Sequence, residues 1–335
     1  MTFLAFMLRN SSPNFIQDIV QKSWVPVCRP VDVKKGKIFT VRVLDESFGL
    51  TSGPSDTIQV FEDVCPHRSS KLSTGPVSKD GCVTCPYHGI EFDTESGDVS
   101  KFVSGYPLKK LSGMKLNKLD TEVHDNVVWV RPPNVEASDS QFYEEMDTSE
   151  FVSVYGSCDV ECNVFEVQEN LIDAIHVNIV HSWGNPVSLP CSIIRSPKER
   201  GVYFLYKYGL NSFASLMNAL DNQSDHPAGF LSVFSSFKEP FSSMTRVCFG
   251  VGLTKIVRVH LLPLSETETR MFWGIHRNFA KSKILDGLFR YFMERTINED
   301  KTILENLPKK PKKQVFFEYD WLVLQYRKKL MEWFS

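Results

Sequence analysis

Between Lys37 and Arg131 apolar and polar residues alternate over short distances. Phe39, Val41 and Val43 are interleaved with Thr40 and Arg42, the period-2 pattern of a half-buried strand. Ser52-Gly53-Pro54, Ser96-Gly97 and Ser112-Gly113 interrupt the run as turns, and Asn126 to Val130 reads as its last strand. Arg131 to Glu150 then loses apolar periodicity and contains Pro132-Pro133 and many Ser and Asp residues. The second half is mixed. Glu166 to His181 is patterned as a helix, and Val202–Tyr208, Thr245–Val251, Lys255–Leu262 and Thr269–Ile275 as strands of an antiparallel sheet. Lys283 to Leu307 is patterned as a helix stopped by Pro308, and an amphipathic aromatic helix is expected from about Phe316 to Phe334. The expected fold class is α+β. A small all-β domain occupies residues 20–133, a linker 134–150, and a domain with an antiparallel sheet flanked by helices 151–335.

Composition narrows the function. Of 335 residues 42% are hydrophobic and 23% charged, which excludes disorder of the whole chain. A net charge of −2 argues against nucleic acid, whose phosphates require a basic face. No run of about 18 apolar residues exists, so no membrane-spanning helix is expected. Met1 to Met7 is apolar but lacks the basic start and cleavage site of a secretory signal. Eight cysteines are too few for a disulfide scaffold, so thiols are read as ligands in a reducing compartment. That compartment is expected to be the cytoplasm, with an organelle stroma as the alternative, since no acid precedes Asp18.

The first chemical constellation is Cys65-Pro66-His67 and Cys85-Pro86-Tyr87-His88-Gly89, with 17 residues between His67 and Cys85. Each half offers one thiolate and one imidazole. Two such loops side by side suit a two-iron, two-sulfide cluster, thiolates on the inner iron and neutral imidazoles on the outer one. The prolines fix φ in both loops, and Gly89 allows close backbone approach. A structural zinc site is the competing reading, because Cys82 and Cys85 form a Cys-x-x-Cys pair. The stretch resembles the Rieske motif, Cys-x-His…Cys-x-x-His. It has no additional cysteine in either loop, which is similar to the oxygenase or ferredoxin type. Where those oxygenases usually carry Trp after the second loop, this chain has Ile90.

The second constellation is Asn170, Asp173, His176 and His181. The first three are spaced to share a helical face. His181 lies roughly 140° around an ideal helix from His176, so both reach one metal only at a distorted or ending helix. Gly184-Asn185-Pro186 favours such an ending. Two histidines and one carboxylate form the facial triad of non-haem Fe(II) oxygenases. The spacing resembles the Asn-x-x-Asp-x-x-His-x-x-x-x-His motif of Rieske oxygenases. That resemblance implies His176 and His181 as iron ligands and Asp173 as a bridge to the cluster. It also implies a third ligand in a late Glu-Asp-(Lys/Arg)-x-x-x-Glu pattern, which Glu299-Asp300-Lys301…Glu305 matches, making Asp300 the choice. Asp286 and Glu294 are the other candidate carboxylates, and Glu299, Lys301 and Glu305 also suit a solvated face.

The resemblance further implies a helix-grip catalytic domain and a head-to-tail homotrimer in which His88 of one subunit hydrogen-bonds Asp173 of the next. No glycine-rich nucleotide fingerprint is present, so electrons are expected from a ferredoxin or an NAD(P)H-dependent reductase. Lys309-Lys310-Pro311-Lys312-Lys313 is a candidate docking patch. Phe213, Phe230, Phe234, Phe237 and Phe241 suit either an apolar pocket or core packing. Similarity to the shorter family members, the demethylases, hydroxylases and chlorophyll-breakdown oxygenases, implies a mono- or dioxygenase. Hydroxylation or oxidative demethylation of a mostly apolar cyclic compound is the favoured reaction. A Rieske-type electron carrier and a zinc-stabilised interaction module are the rival classes.

Overall fold

A computed structural model describes residues 13–332, apart from 45, 54, 103–105, 134, 136–140, 174, 182–189, 191, 199, 208–229, 250–251 and 309–313. Two compact units result, one of Gln17–Ser138 and one of Asp139–Ser335 together with Met1–Ile16. Helix α1 covers Pro13–Lys22.

The unit Gln17–Ser138 is built of antiparallel strands. Its six-stranded sheet contains β1 (Val25–Cys28), β2 (Phe39–Val43), β3 (Glu46–Ser52), β4 (Ile58–Glu62), β8 (Lys118–His124) and β9 (Val127–Arg131), in the order β1-β9-β8-β4-β3-β2. Strands β5 (Cys82–Thr84), β6 (Glu91–Asp93) and β7 (Val99–Lys101) form a separate three-stranded hydrogen-bonded sheet. In β2 the predicted alternation is realised: Val41 and Val43 are buried, Thr40 and Arg42 exposed. Around the small sheet, Phe61, Leu72, Val83, Ile90, Phe92 and Leu116 form a dry cluster that also takes in Cys65 and Cys85. Ile90 thus fills the position after the second loop with an aliphatic core contact.

The second unit carries a seven-stranded antiparallel sheet. Its strands are β10 (Val152–Val160), β11 (Ser192–Ser196), β12 (Gly201–Lys207), β13 (Phe230–Lys238), β14 (Ser242–Cys248), β15 (Thr254–Ser265) and β16 (Glu268–Arg277), in the order β10-β16-β15-β14-β13-β12-β11. The helices are α2 (Val164–Ile172), α3 (Val177–Val180), α4 (Asp286–Leu304) and α5 (Trp321–Glu332). Gln141 is buried here and donates to the Glu239 carbonyl, and Arg258 donates to the Glu144 carbonyl. Two charged ties hold α4 along the sheet: Arg277 to Asp286 at 2.5 Å and Lys301 to the Asp159 carbonyl at 2.6 Å. The aromatic helix α5 packs on its own unit, with Tyr326 donating to the Pro240 carbonyl and Arg327 paired to Glu169 at 2.6 Å. Among the described residues no helix is long and apolar enough to cross a membrane.

One expectation is corrected. The helix expected over Glu166 to His181 is broken in two. Asp173 is extended at ψ 132°, and its carboxylate accepts the Ile175 N–H at 2.8 Å. A side chain bonding to the backbone two residues on replaces the helical hydrogen bond and ends α2 at Ile172. Of the two readings open for the phenylalanines, core packing is the one found for Phe234, Phe237 and Phe241. Phe234 packs on Tyr203, Phe237 on Tyr326, and both are buried with Phe241 in the core. Phe213, the side chain of Phe230, Gly184-Asn185-Pro186, Tyr208, Val251 and the Lys309–Lys313 run lie outside the described residues.

Candidate active site

The two Cys/His loops share one backbone design. Cys65 N–H bonds to Ser70 O and Ser69 N–H to Cys65 O. Cys85 N–H bonds to Ile90 O and Gly89 N–H to Cys85 O. The matched residues Ser69 (φ 56°) and Gly89 (φ 71°) both take the left-handed conformation that closes such a turn. A Cβ at Gly89 would meet no atom within 4 Å. The backbone angle itself calls for glycine here. Close approach of the chain to itself is found at Gly75, where a Cβ would fall 2.0 Å from the Thr84 carbonyl.

Both thiols are buried and interact with each other, while His67 and His88 stand outward of them with ring centroids 4.5 Å apart. His88 Nδ1 is buried without a hydrogen-bond partner. Two inner thiols, two outer imidazoles and an orphaned ring nitrogen fit a [2Fe–2S] cluster. Cys82 is a buried residue of β5.

The second cluster is assembled by α2, α3 and α4. His176 stands at the N-terminal cap of α3 and His181 at its C-terminal cap, extended at ψ 127°. The helix break at Asp173 and the short α3 between them turn both rings to one point. Asp300 Oδ1 lies 3.5 Å from His176 Nε2 and 3.7 Å from His181 Nε2. The ligand atoms of His176, His181 and Asp300 all lie within 4.8 Å of one another. Asp300 Oδ1 is buried and makes no hydrogen bond. A buried carboxylate oxygen with no partner, facing two imidazole nitrogens, fits a metal ion bound by two histidines and one carboxylate. Asp286 is drawn away to Arg277, and Glu294 lies beside Arg290, so neither joins the set.

Each of the three has a second polar neighbour, although His176 Nδ1 and His181 Nδ1 make no well-aligned hydrogen bond. Asp173 Oδ2 is 3.5 Å from His176 Nδ1, Glu299 Oε2 is 3.3 Å from His181 Nδ1, and Asn170 hydrogen-bonds the Asp300 carboxylate. Contacts of this kind fix the ring tautomer and orientation of metal-bound histidines. Glu299 escaped sequence reasoning as an orienting residue because its place in a charged helix suited a solvated face. The adjacent Asp300 was the available signal. Burial pushes the Asp300 carboxyl up, against the pull of both histidines. Burial would lower His176, but Asp173 and Asp300 outweigh it and raise it. At His181 burial prevails and lowers it. Burial would raise Asp173, yet His176 and the Ile175 N–H hold it below the ordinary carboxylate range.

These residues border a cavity of about 250 Å³ between the sheet and helices α2 and α4. Its wall is mostly apolar, with Leu231, Val233, Val257, Ile275, Phe289 and Phe292 among its residues. A mostly apolar wall with few converging polar groups suits a small organic ligand.

The comparisons with known proteins bear on both units. Residues 23–112 match the Rieske [2Fe–2S] domain. Residues 160–335 match the vanillate O-demethylase oxygenase C-terminal domain. The oxygenase component of dicamba O-demethylase from Stenotrophomonas maltophilia is 27% identical over 307 residues, 87% of this chain and 88% of that protein. Chloroplastic chlorophyllide a oxygenase from Arabidopsis thaliana is 22% identical over 290 residues, 83% of this chain but 50% of that longer protein. Among solved structures, the theobromine-bound QL mutant of NdmA from Pseudomonas putida CBB5 superposes with a TM-score of 0.76. Its identity is 21%, over 95% of this chain and 92% of that chain. Dicamba monooxygenase bound to 3,6-dichlorosalicylic acid gives 0.73, at 18% identity over 94% of this chain and 97% of that chain.

Fold and site together define a two-centre iron protein, with a Rieske domain ahead of an antiparallel-sheet domain. The chain belongs to the Rieske non-haem iron oxygenases, which carry a [2Fe–2S] cluster and a mononuclear iron.

Proposed function

We propose that this chain is the terminal oxygenase component of a Rieske oxygenase system. It uses O₂ and externally supplied electrons to hydroxylate or oxidatively demethylate a mostly apolar, cyclic small molecule. The observation that carries this reading is the convergence of His176 Nε2, His181 Nε2 and Asp300 Oδ1 beside an apolar cavity. An electron carrier has no use for either. Oxidative demethylation is favoured by relatives named as a dicamba O-demethylase component and a methylxanthine N1-demethylase.

In this reading Cys65, His67, Cys85 and His88 hold the cluster, and His176, His181 and Asp300 hold the mononuclear iron. When bound, these groups supply single electrons and O₂ activation, respectively. The chain's own residues do the rest. Asp173 keeps a proton on His176 Nδ1, so that Nε2 presents its lone pair toward the cavity. Glu299 does the same for His181, and Asn170 holds the Asp300 carboxylate in place. Leu231, Val257 and Ile275 line the cavity and exclude water from the bound substrate. A head-to-tail homotrimer would place His88 of one subunit against Asp173 of the next. A ferredoxin or a reductase supplies the electrons. Cysteines that serve as cluster ligands suit a reducing compartment, cytoplasm or organelle stroma.

The test is O₂ uptake by the iron-loaded protein with a surrogate reductase and a panel of methoxylated and N-methylated ring compounds. The expected result is uptake that depends on the ring compound, with release of formaldehyde or a hydroxylated product. A reduced protein that consumes no O₂ in response to any ring compound, with both iron centres intact, overturns the reading.

A further inference from the structure

The cavity wall is apolar by design of the strands. On β15 the alternate residues Lys255, Val257 and Val259 line it, in the period of two that puts them on one face. The register sets Lys255 opposite Val247 of β14, itself a lining residue. Where its neighbours are valines, this position carries an ammonium group. Among the described residues that ammonium has no hydrogen bond and no ion pair. Arg277, opposite it in register, is ion-paired to Asp286 through Nη2, while its Nη1 is buried without a hydrogen-bond partner. Burial pushes Lys255 below the ordinary lysine range. A cation facing a mostly apolar cavity, with no partner among the described residues, is costly to keep unless a ligand brings the opposite charge.

Lys255 is also remote from the carboxylates of the metal set. Along β16, Arg277 pairs with Lys255, whereas Arg270 is ion-paired to Asp159, whose carbonyl takes Lys301. Helix α4 runs between the same two ends, from Asp286 at Arg277 to Lys301 at Asp159. Phe289 and Asp300, both lining the cavity, are roughly 16 Å apart along that helix at about 1.5 Å per residue. The lysine therefore stands at one end of an elongated space and the His/His/Asp set at the other.

We infer that Lys255 is a specificity-determining residue: it receives a carboxylate or other oxyanion at one end of an elongated cyclic substrate whose opposite end reaches His176, His181 and Asp300. This deepens the oxygenase reading, and rests on it, by giving the substrate class as anionic. The apolar wall accepts the rings, and the single cation orients them, so that the end presented for reaction is the one away from the charge.

The test uses the holoenzyme and two probes of equal shape, 4′-methoxybiphenyl-4-carboxylate and its carboxamide, titrated by calorimetry. K255M replaces the ammonium with an apolar chain of similar length, and K255R keeps the charge. Circular dichroism and the iron–sulfur absorption check that each variant is folded. The parent protein is expected to bind the carboxylate about 10- to 100-fold more tightly than the amide, the range of one charge-assisted hydrogen bond. K255M loses that preference through weaker carboxylate binding alone, and K255R recovers most of it. Equal binding of the two probes by the parent, binding of neither, or a preference that survives in K255M overturns the proposal. O₂ uptake on the same samples separates the two readings. A charge preference that depends on Lys255 without uptake upholds the binding assignment and sinks the oxygenase. Uptake with neutral rings and no charge preference does the reverse.

Discussion

Removing the Glu299 carboxylate is predicted to loosen the mononuclear metal site while leaving the iron–sulfur domain untouched. Glu299 Oε2 lies 3.3 Å from His181 Nδ1, and the two side chains are only 20% and 9% exposed. A full charge pair at that distance is worth roughly 5 kcal/mol at an effective dielectric of about 20. That is an upper bound, because a metal-bound imidazole is neutral and Glu299 is shared with Arg295. A charge-assisted hydrogen bond, about 1.5–3 kcal/mol, is the better measure. It corresponds to about a 10- to 100-fold loss of metal affinity, the usual cost of deleting such a partner. The assay is anaerobic titration of mononuclear-site apoprotein with Co(II) against a competing chelator, for the parent, E299Q and E299A. The unchanged iron–sulfur absorption is the internal control. E299A should show the full loss, and E299Q, which keeps an acceptor but not the charge, an intermediate one. An E299A affinity within about twofold of the parent would refute the assignment of Glu299 to His181.

Other outcomes follow from the same geometry. Asp173→Asn should retain both metals by iron analysis and abolish turnover, because the amide cannot hold His176 Nδ1–H as a carboxylate does; near-normal activity would remove Asp173 from the relay between the two centres. Arg327→Met leaves Glu169 without its buried partner and should destabilise the second unit by about 3 kcal/mol, lowering Tm by about 6–12 °C in a thermal scan. Gly89→Ala forces a Cβ into the left-handed region with no clash to add, costing about 1–2 kcal/mol, and Gly89→Asn should cost less by the same scan.

The chemistry of this chain was more legible than its architecture. The paired Cys/His loops were readable because a cluster demands four ligands within two short turns, and their backbones close identically around Ser69 and Gly89. His176 and His181 carried a warning in their spacing, which no continuous helix satisfies. The structure resolves it through Asp173, whose side chain ends α2 before the first histidine. Asp300 was reachable only by resemblance, since a carboxylate in a charged helix gives no local sign of burial. Strands β10, β11 and β13 escaped the hydrophobic pattern for different reasons. β10 is an edge strand, and Ser153, Ser157 and Asp159 dilute its alternation. β11 is also an edge strand and mostly exposed. In β13 both faces are covered, so Phe234 and Val233 are apolar on opposite sides and the period of two disappears. Lys255 sat inside an expected strand, but nothing local told which face it would take.

The most direct test of the whole account is iron and acid-labile sulfide analysis of the purified chain, read with the EPR spectrum of its reduced form. The account predicts three irons and two sulfides per chain and a reduced [2Fe–2S] signal of the mixed Cys/His type. It also predicts that His176→Ala and Asp300→Ala each remove one iron and leave the sulfides. Two irons in the parent protein, unchanged by either substitution, would contradict it.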